Sequence, residues 1–183
     1  MEKEEEERKL IKCNYIPIRK MLKVNKIKED EVHIEPVVEK TNAEKGFELE
    51  ERIFAASLKL PGLIHSYREN DIKKHFNESS LNGIDHWILV GKTNILLQDK
   101  WKESHNQQEV SQYLNCASRI KERLISEKIH LIWASKCAPT RNSLKMLKER
   151  NVHILVSDNM DDLANSVIKK ALEMVSNDIM SSI

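Results

Sequence analysis

The sequence has few of the residues that build phosphate-binding loops, disulfides or zinc sites. Only 4 glycines occur in 183 residues, and neither a GxGxxG nor a Walker-type motif is present, so we expect no nucleotide cofactor. The three cysteines, Cys13, Cys116 and Cys137, are odd in number and lack CxxC spacing. That pattern argues against a disulfide framework and against a zinc ribbon.

Long apolar runs and an excess of charge of one sign are also absent. The longest apolar stretches, such as IHLIWA at 129–134, are far too short to cross a bilayer. The N-terminus, MEKEEEERKL, is too charged for a secretory signal or a transit peptide. We therefore predict an intracellular, cytoplasmic protein without membrane contact, with a nuclear or viral compartment left open. A net charge of +1 excludes a histone-like polycation but allows a local basic face.

Residues 1–45 differ in composition from the rest of the chain. They combine a mixed-charge run with weak periodicity and sparse apolar content, which favours a flexible or loosely docked arm over a separate domain. Short strands around Tyr15–Ile18 and Val32–Val38 are the open alternative. We predict that residues 46–183 form an α/β domain.

From residue 46 onward, hydrophobic periodicity predicts regular elements. FELEERIFAASLKL is typical of an amphipathic helix, and a polar, irregular stretch is expected to follow it up to residue 83. Two strands then flank GKT as a hairpin, and Ser104 with Gln107 has the form of a capping box for the next helix. IHLIWAS lacks alternation, which predicts a strand covered on both faces. A helix, a strand and a last helix complete an α/β sandwich with a mixed sheet.

The polar end of the second hairpin strand, NILLQDKWK, suggests a site. If the turn centres on residues 92–93, Asp85 lies opposite Lys100, and alternation places Gln98 on their face of the sheet. Asp99 is then expected to point to the other face, outside this cluster. The alternative is a surface Asp–Lys pair that contributes only ~0.2–1 kcal/mol.

Glu50 is a further candidate on the first helix. It precedes Ile53, Phe54 and Ser57 by three, four and seven residues, which places it at the margin of the apolar face. A carboxylate in that position either contributes to a site or extends into solvent, and the pattern leaves both interpretations open.

These residues together resemble a known family. GFELEE in a helix, NGID in a strand and LLQDKWK in the next strand look like the PD-(D/E)xK nuclease superfamily, and most like its Mrr-like restriction-endonuclease branch with Gln-x-Lys. The resemblance implies a restriction-endonuclease-like core with a mixed central sheet flanked by helices. The matching positions are Gly46, Leu49, Glu50, Gly83, Asp85, Gln98 and Lys100. The sequence departs from the pattern by having one glycine before the Asp and a bulky Trp after the Lys.

The resemblance also implies a chemistry. It predicts a Mg²⁺-dependent DNA endonuclease, with Mn²⁺ as the alternative ion. Asp85, the side-chain carbonyl of Gln98, Glu50 and the backbone carbonyl of Asp99 would bind the ion. Lys100 would orient the attacking water and stabilise the phosphate.

The expected partner is DNA, and the acting form is expected to be a homodimer that cuts both strands. Lys100, Lys102, Arg119 and Arg141 are the candidate contacts to DNA phosphates. The alternative is a nuclease fold with weak or no activity that serves as a DNA-binding or assembly module.

Overall fold

The computed structural model describes residues 21–27, 31–37, 39–124 and 127–182, which divide between two compact units at the boundary between Thr41 and Asn42. In the first unit, β1 (Met21–Ile27) pairs antiparallel with β2 (Glu31–Val37). The strand predicted at Val32–Val38 corresponds to β2, whereas the one predicted at Tyr15–Ile18 lies outside the described residues.

The second unit contains five strands and five helices within its described residues. They follow the chain as α1 (Asn42–Ser57), β3 (Leu63–Arg68), α2 (Glu69–His75), β4 (His86–Val90), β5 (Thr93–Lys100), α3 (Gln107–Arg123), β6 (Lys128–Ser135), α4 (Arg141–Glu149), β7 (Val152–Val156) and α5 (Met160–Met180). The first helix thus begins at Asn42, inside the segment predicted as an arm. In this part of the chain, no helix combines the length and apolarity needed to cross a membrane.

The five strands form one open mixed sheet in the order β3-β4-β5-β6-β7. The first two pairings are antiparallel, and β5-β6 and β6-β7 are parallel. The predicted α/β class with a mixed sheet, an antiparallel hairpin continued by strands that helices connect, is therefore confirmed.

Helices cover the sheet on both faces because successive strand residues point to opposite sides. In β6, Leu131 and Trp133 pack with α3 and α4, while Ile132 and Ala134 pack with α1 and α5. The expectation that this strand is covered on both faces is confirmed. A strand buried on both faces needs apolar residues at every position, so its sequence loses the alternation of a surface strand.

The segment expected to be irregular contains regular structure. Residues 63–68 form the edge strand β3, and residues 69–75 form α2, in which Ile72 is buried. Long-range contacts stabilise this segment: Tyr67 lies opposite Trp87 on β4, and the hydroxyls of Ser57 and Ser66 are 2.7 Å apart. Local periodicity carries no information about such contacts, and the prediction of an irregular segment was therefore wrong.

The start of α3 also differs from the prediction. Asn106 is the capping residue: its side chain accepts a bond from the Glu109 N–H at 2.9 Å, and the Glu109 carboxylate accepts one from the Asn106 N–H at 3.2 Å. The capping box predicted at Ser104 and Gln107 is therefore placed two residues too early. Asn106 and Glu109 satisfy the N-cap and N3 N–H groups of the helix, which is what the predicted pair would do two residues earlier.

The register of the β4–β5 hairpin differs from the predicted one by two residues. Val90 pairs with Thr93, and Gly91 with Lys92 forms a two-residue turn in which Gly91 has a φ of 58°. Such a turn requires a positive φ at its first central position, which glycine adopts without strain. Asp85 therefore does not lie opposite Lys100. A shift of two residues nevertheless leaves every side chain on its predicted face.

Gly83 provides a test of how the chain enters this hairpin. Its φ is +99°, and a Cβ at this position would lie 3.2 Å from the Tyr113 main-chain nitrogen. We expect Gly83→Ala to reduce the free energy of unfolding by about 1–3 kcal/mol, because the backbone strain and the close contact add. Urea denaturation of the purified protein measures this change.

Gly46→Ala is the matched control. Gly46 lies inside α1, and a Cβ there would meet no atom of the described residues within 4 Å. The substitution should stabilise the protein by about 0.5–1 kcal/mol through helix propensity. Equal effects at the two glycines would contradict the assignment of Gly83 as a conformational requirement.

Candidate metal centre

The candidate site lies at the edge of the sheet where β5 ends. Asp99 and Lys100 are the last residues of β5, and Asp85 immediately precedes β4, which runs antiparallel to it. The end of one strand and the start of the other therefore meet at the same edge. Glu50 comes from α1, whose buried side chains pack on the face of β5 that carries Asp99.

Asp85 is held through one oxygen of its carboxylate. Its Oδ2 accepts a hydrogen bond from the side-chain amide of Gln98 and another from the main-chain N–H of Asp99 at 2.9 Å. The Nζ of Lys100 lies 3.5 Å from the same oxygen. The structure thus brings together Asp85, Gln98 and Lys100, and within the described ranges no hydrogen bond goes to the second oxygen of the Asp85 carboxylate.

The expectation that Asp99 lies outside the cluster is wrong. Glu50, Asp85 and Asp99 each place a carboxylate oxygen within 4.8 Å of the other two. Asp99 does point to the opposite face from Gln98, but α1 brings Glu50 to that same face. The Asp85 N–H bonds to the carbonyl of Leu97, the residue that pairs with His86, so regular strand pairing ends at His86 and strand alternation does not fix the Asp85 side chain.

His86 is a site residue that the sequence analysis did not predict. Its Nε2 lies 3.1 Å from Oδ2 of Asp99, and both side chains are almost fully buried. Burial lowers the pKa of His86 to about 4, so the ring is neutral at neutral pH. Its Nδ1 has no hydrogen-bond partner among the described residues, an arrangement that costs about 1–3 kcal/mol. Strand alternation could have indicated this contact, because a hairpin in this register places His86 on the same face as Asp99. In the structure His86 pairs with Leu97, which confirms the shared face.

Three carboxylates in this arrangement suit a divalent cation. Oxygens around an octahedral magnesium ion are roughly 3.0 Å apart when adjacent and roughly 4.2 Å apart when opposite, given metal–oxygen distances of about 2.1 Å. The three oxygens lie within 4.8 Å of one another. Three ligands of one octahedron include at least two adjacent pairs, so the carboxylates would have to draw closer by up to about 1.8 Å on binding an ion. Hard anionic oxygens are the ligands that Mg²⁺ and Mn²⁺ prefer.

Gln98 presents its amide nitrogen, rather than its carbonyl oxygen, to Asp85, and the same nitrogen lies 3.3 Å from the backbone carbonyl of Asp99. For Gln98 to ligate through its oxygen, the amide would have to turn over and lose the bond to Asp85. In this structure Gln98 therefore donates to Asp85, and its role as a metal ligand stays a prediction.

The electrostatic properties of the three carboxyl groups also favour a cation. Burial, with the neighbouring charges of Asp99 and Asp85 adding to it, raises the pKa of Glu50 to about 7. Burial likewise raises the pKa of Asp85 and of Asp99 to about 7, although Lys100 partly opposes the rise in both. The three groups are close enough to titrate together as a cluster. Above neutral pH they form a concentrated negative charge that a divalent cation would relieve.

The other residues predicted to contact DNA have different surroundings. Lys102 forms an ion pair with Glu109 in the first turn of α3. Arg119, farther along α3, pairs with Glu78. Arg141 is exposed at the start of α4, which follows the carboxyl end of β6. Lys102 and Arg119 are therefore each held in an ion pair.

Comparison of the chain with protein-family models gives no match, and comparison with the curated proteins finds none with a similar sequence. Functional interpretation therefore depends on the residues and geometry of this chain.

The raised pKa values predict that the metal-free protein becomes less stable as the pH rises. Between about pH 4 and pH 7 the folded cluster binds more protons than the unfolded chain, so its stabilising contribution is complete below about pH 4 and is lost as the pH passes 7. His86 has the opposite effect between about pH 4 and 6.5, so the decrease from pH 6.5 to 8 is the part to which His86 does not contribute. Thermal unfolding of the metal-free protein at several pH values between 6.5 and 8 measures this loss of stability.

Asp99→Asn isolates the contribution of the cluster. At pH 8 this variant should be more stable than the wild type by about 1–3 kcal/mol, because one buried charge is removed, and at pH 5 the difference should disappear. The exposed Asp158→Asn is the control and should show no pH-dependent difference. A wild-type protein more stable at pH 8 than at pH 6.5 would contradict the assignment of raised pKa values.

Proposed function

We propose that the protein is a metal-dependent endonuclease that hydrolyses phosphodiester bonds in DNA, built on a restriction-endonuclease-like core. The observation that supports this function is the meeting of Glu50, Asp85 and Asp99 with Lys100 at one edge of the sheet. Carboxylates that bind a cation, next to a lysine that can reach a phosphate, are the groups that phosphodiester hydrolysis requires.

Each residue has a distinct part in the proposed reaction. Bound Mg²⁺ or Mn²⁺ would lower the pKa of water and offset negative charge on the phosphate. Glu50, Asp85 and Asp99 would hold the ion, and Gln98 would keep Asp85 in position. The water oxygen would bond to phosphorus as the water gives up a proton to solvent. The phosphorus–oxygen ester bond would break, and the leaving oxygen would take up a proton from solvent.

Lys100 is suited to interact with the phosphate. Its side chain is 27% exposed, and its Nζ lies 3.5 Å from Asp85. It can exchange this contact for a phosphate oxygen once a bound cation balances the charge of the buried Asp85 carboxylate. A positive charge in that position stabilises the negative charge that increases in the transition state. Cleavage of both strands needs two such sites, and we therefore propose that a homodimer acts on duplex DNA.

The second candidate function is a DNA-binding or assembly module without nuclease activity. It is supported by the contacts of Asp85, whose Oδ2 is engaged by the Gln98 amide and the Asp99 N–H and lies 3.5 Å from the Lys100 Nζ. A carboxylate that is paired with protein donors in this way can have a structural role without binding a metal.

Plasmid cleavage tests the proposed function. We expect nicking or cutting by the wild type with Mg²⁺ or Mn²⁺ and none with EDTA. Asp85→Asn, Glu50→Gln and Lys100→Met should each lower the rate by at least about 100-fold, because each removes a metal ligand or a charge opposite the phosphate.

Glu51→Gln is the matched control for Glu50→Gln. Glu51 is the next residue of the same helix, but its carboxylate pairs with Arg68, and its loss should leave the cleavage rate within a few-fold of wild type. Absence of cleavage in all proteins would exclude the nuclease. Salt-dependent DNA binding that Asp85→Asn retains would then support the binding module.

A further inference from the structure

The environment of His86 differs from that of an ordinary core residue. The side chain has no exposed surface, and its hydrogen bond goes to Oδ2 of Asp99. Its other ring nitrogen has no partner among the described residues. Among the described residues, the hydrogen-bond partner of the imidazole is therefore a carboxylate of the candidate metal centre.

The two buried aspartates of the cluster are held in parallel ways. Asp85 is fixed through Oδ2 by Gln98 and by the main chain, and Asp99 is fixed through Oδ2 by His86. In both residues one oxygen is occupied by a donor, which leaves the second oxygen for a cation. Because Asp99 must be ionised to bind a cation, the hydrogen in its bond with His86 belongs to Nε2, and Nδ1 is the unprotonated nitrogen.

We propose that His86 is a positioning residue that orients the Asp99 carboxylate, and that this carboxylate is the third protein ligand of the metal. The inference rests on the proposed function for the presence of the metal. It assigns to the Asp99 side chain the place that the Gln-x-Lys pattern gives to Gln98. Ligating carboxylates are commonly oriented by hydrogen bonds of this kind, and removing such a partner typically weakens metal binding 10- to 100-fold.

Replacing His86 by two amides of different length tests the geometry. In His86→Gln the side-chain nitrogen lies as many bonds from Cβ as Nε2 of the imidazole, so the donor to Asp99 is retained. In His86→Asn the nitrogen is one bond closer to the backbone and cannot reach. His86→Phe keeps the ring volume without any donor and provides a second variant if the shorter side chain disturbs folding.

Calorimetric titration with Mn²⁺ at pH 8, without DNA, gives a readout that is independent of activity. We expect the dissociation constant of His86→Gln within about threefold of wild type, and those of His86→Asn and His86→Phe to be 10- to 100-fold higher. In a protein that already carries Asp99→Asn, adding His86→Asn should not weaken Mn²⁺ binding further, because the carboxylate that His86 orients is then absent.

His105→Asn is the matched control. His105 is also buried, but its ring packs edge-on against Trp133 at a centroid distance of 5.7 Å. The His105→Asn variant should bind Mn²⁺ with an affinity within about threefold of wild type. Thermal unfolding of every variant shows that the comparison is made on folded protein.

The outcomes separate this inference from the proposed function. Unchanged Mn²⁺ affinity in His86→Asn and His86→Phe, or equal losses in the Gln and Asn variants, would overturn the positioning role. If the wild type binds no Mn²⁺, the metal centre and the role of His86 are both overturned. Mn²⁺ binding that follows the expected order without any DNA cleavage would support His86 and exclude the nuclease. With cleavage, excess Mn²⁺ should restore the rate of His86→Asn to within a few-fold.

Discussion

The placement of three carboxylates at one end of an apolar hairpin is the constraint on which the site depends. Glu50, Asp85 and Asp99 repel one another, and burial removes the water that would screen them. The fold compensates only in part, with donors from Gln98, Lys100, His86 and the main chain. Such incompletely compensated charge is a cost to stability that a bound cation would remove, and it is characteristic of functional sites.

The sheet edge is where this arrangement can form. Within β4 and β5, side chains alternate between two separate cores, one covered by α3 and α4 and the other by α1 and α5. Two residues on opposite faces of a sheet cannot meet in the middle of a strand. At the end of β5 and before β4, however, Asp85 is outside the regular pairing, so its carboxylate can join Asp99 and Glu50 from the α1 side while it is held by Gln98 from the other.

In the part of the chain that the structure describes, three lysines near the cluster are each paired with a carboxylate. Lys100 pairs with Asp85, Lys102 with Glu109, and Lys136, whose main-chain N–H bonds to the carbonyl of Lys100, pairs with Glu103. A phosphate that approaches this edge exchanges one anionic partner of a lysine for another. Phosphate binding would therefore release fewer counterions than binding to an open basic groove and would depend less steeply on salt.

The sequence by itself determined the element types, the mixed sheet and the faces of most strand residues. Periods of 3.6 and 2 residues are local, and a register error of two residues in the hairpin left Gln98 and Lys100 on their predicted face. Sequence periodicity did not predict β3 and α2, because residues such as Tyr67 are held by partners that lie farther along the chain.

Only the tertiary structure decided which carboxylates meet. Alternation correctly placed Asp99 on the face opposite Gln98, but the position of α1 made that the face of Glu50. The contact of His86 with Asp99 lies on that same face, but it is a cross-strand contact that follows from the register of the hairpin. Strand periodicity predicts which face of the sheet a residue occupies. The packing of a helix on that face determines which other side chains the residue contacts.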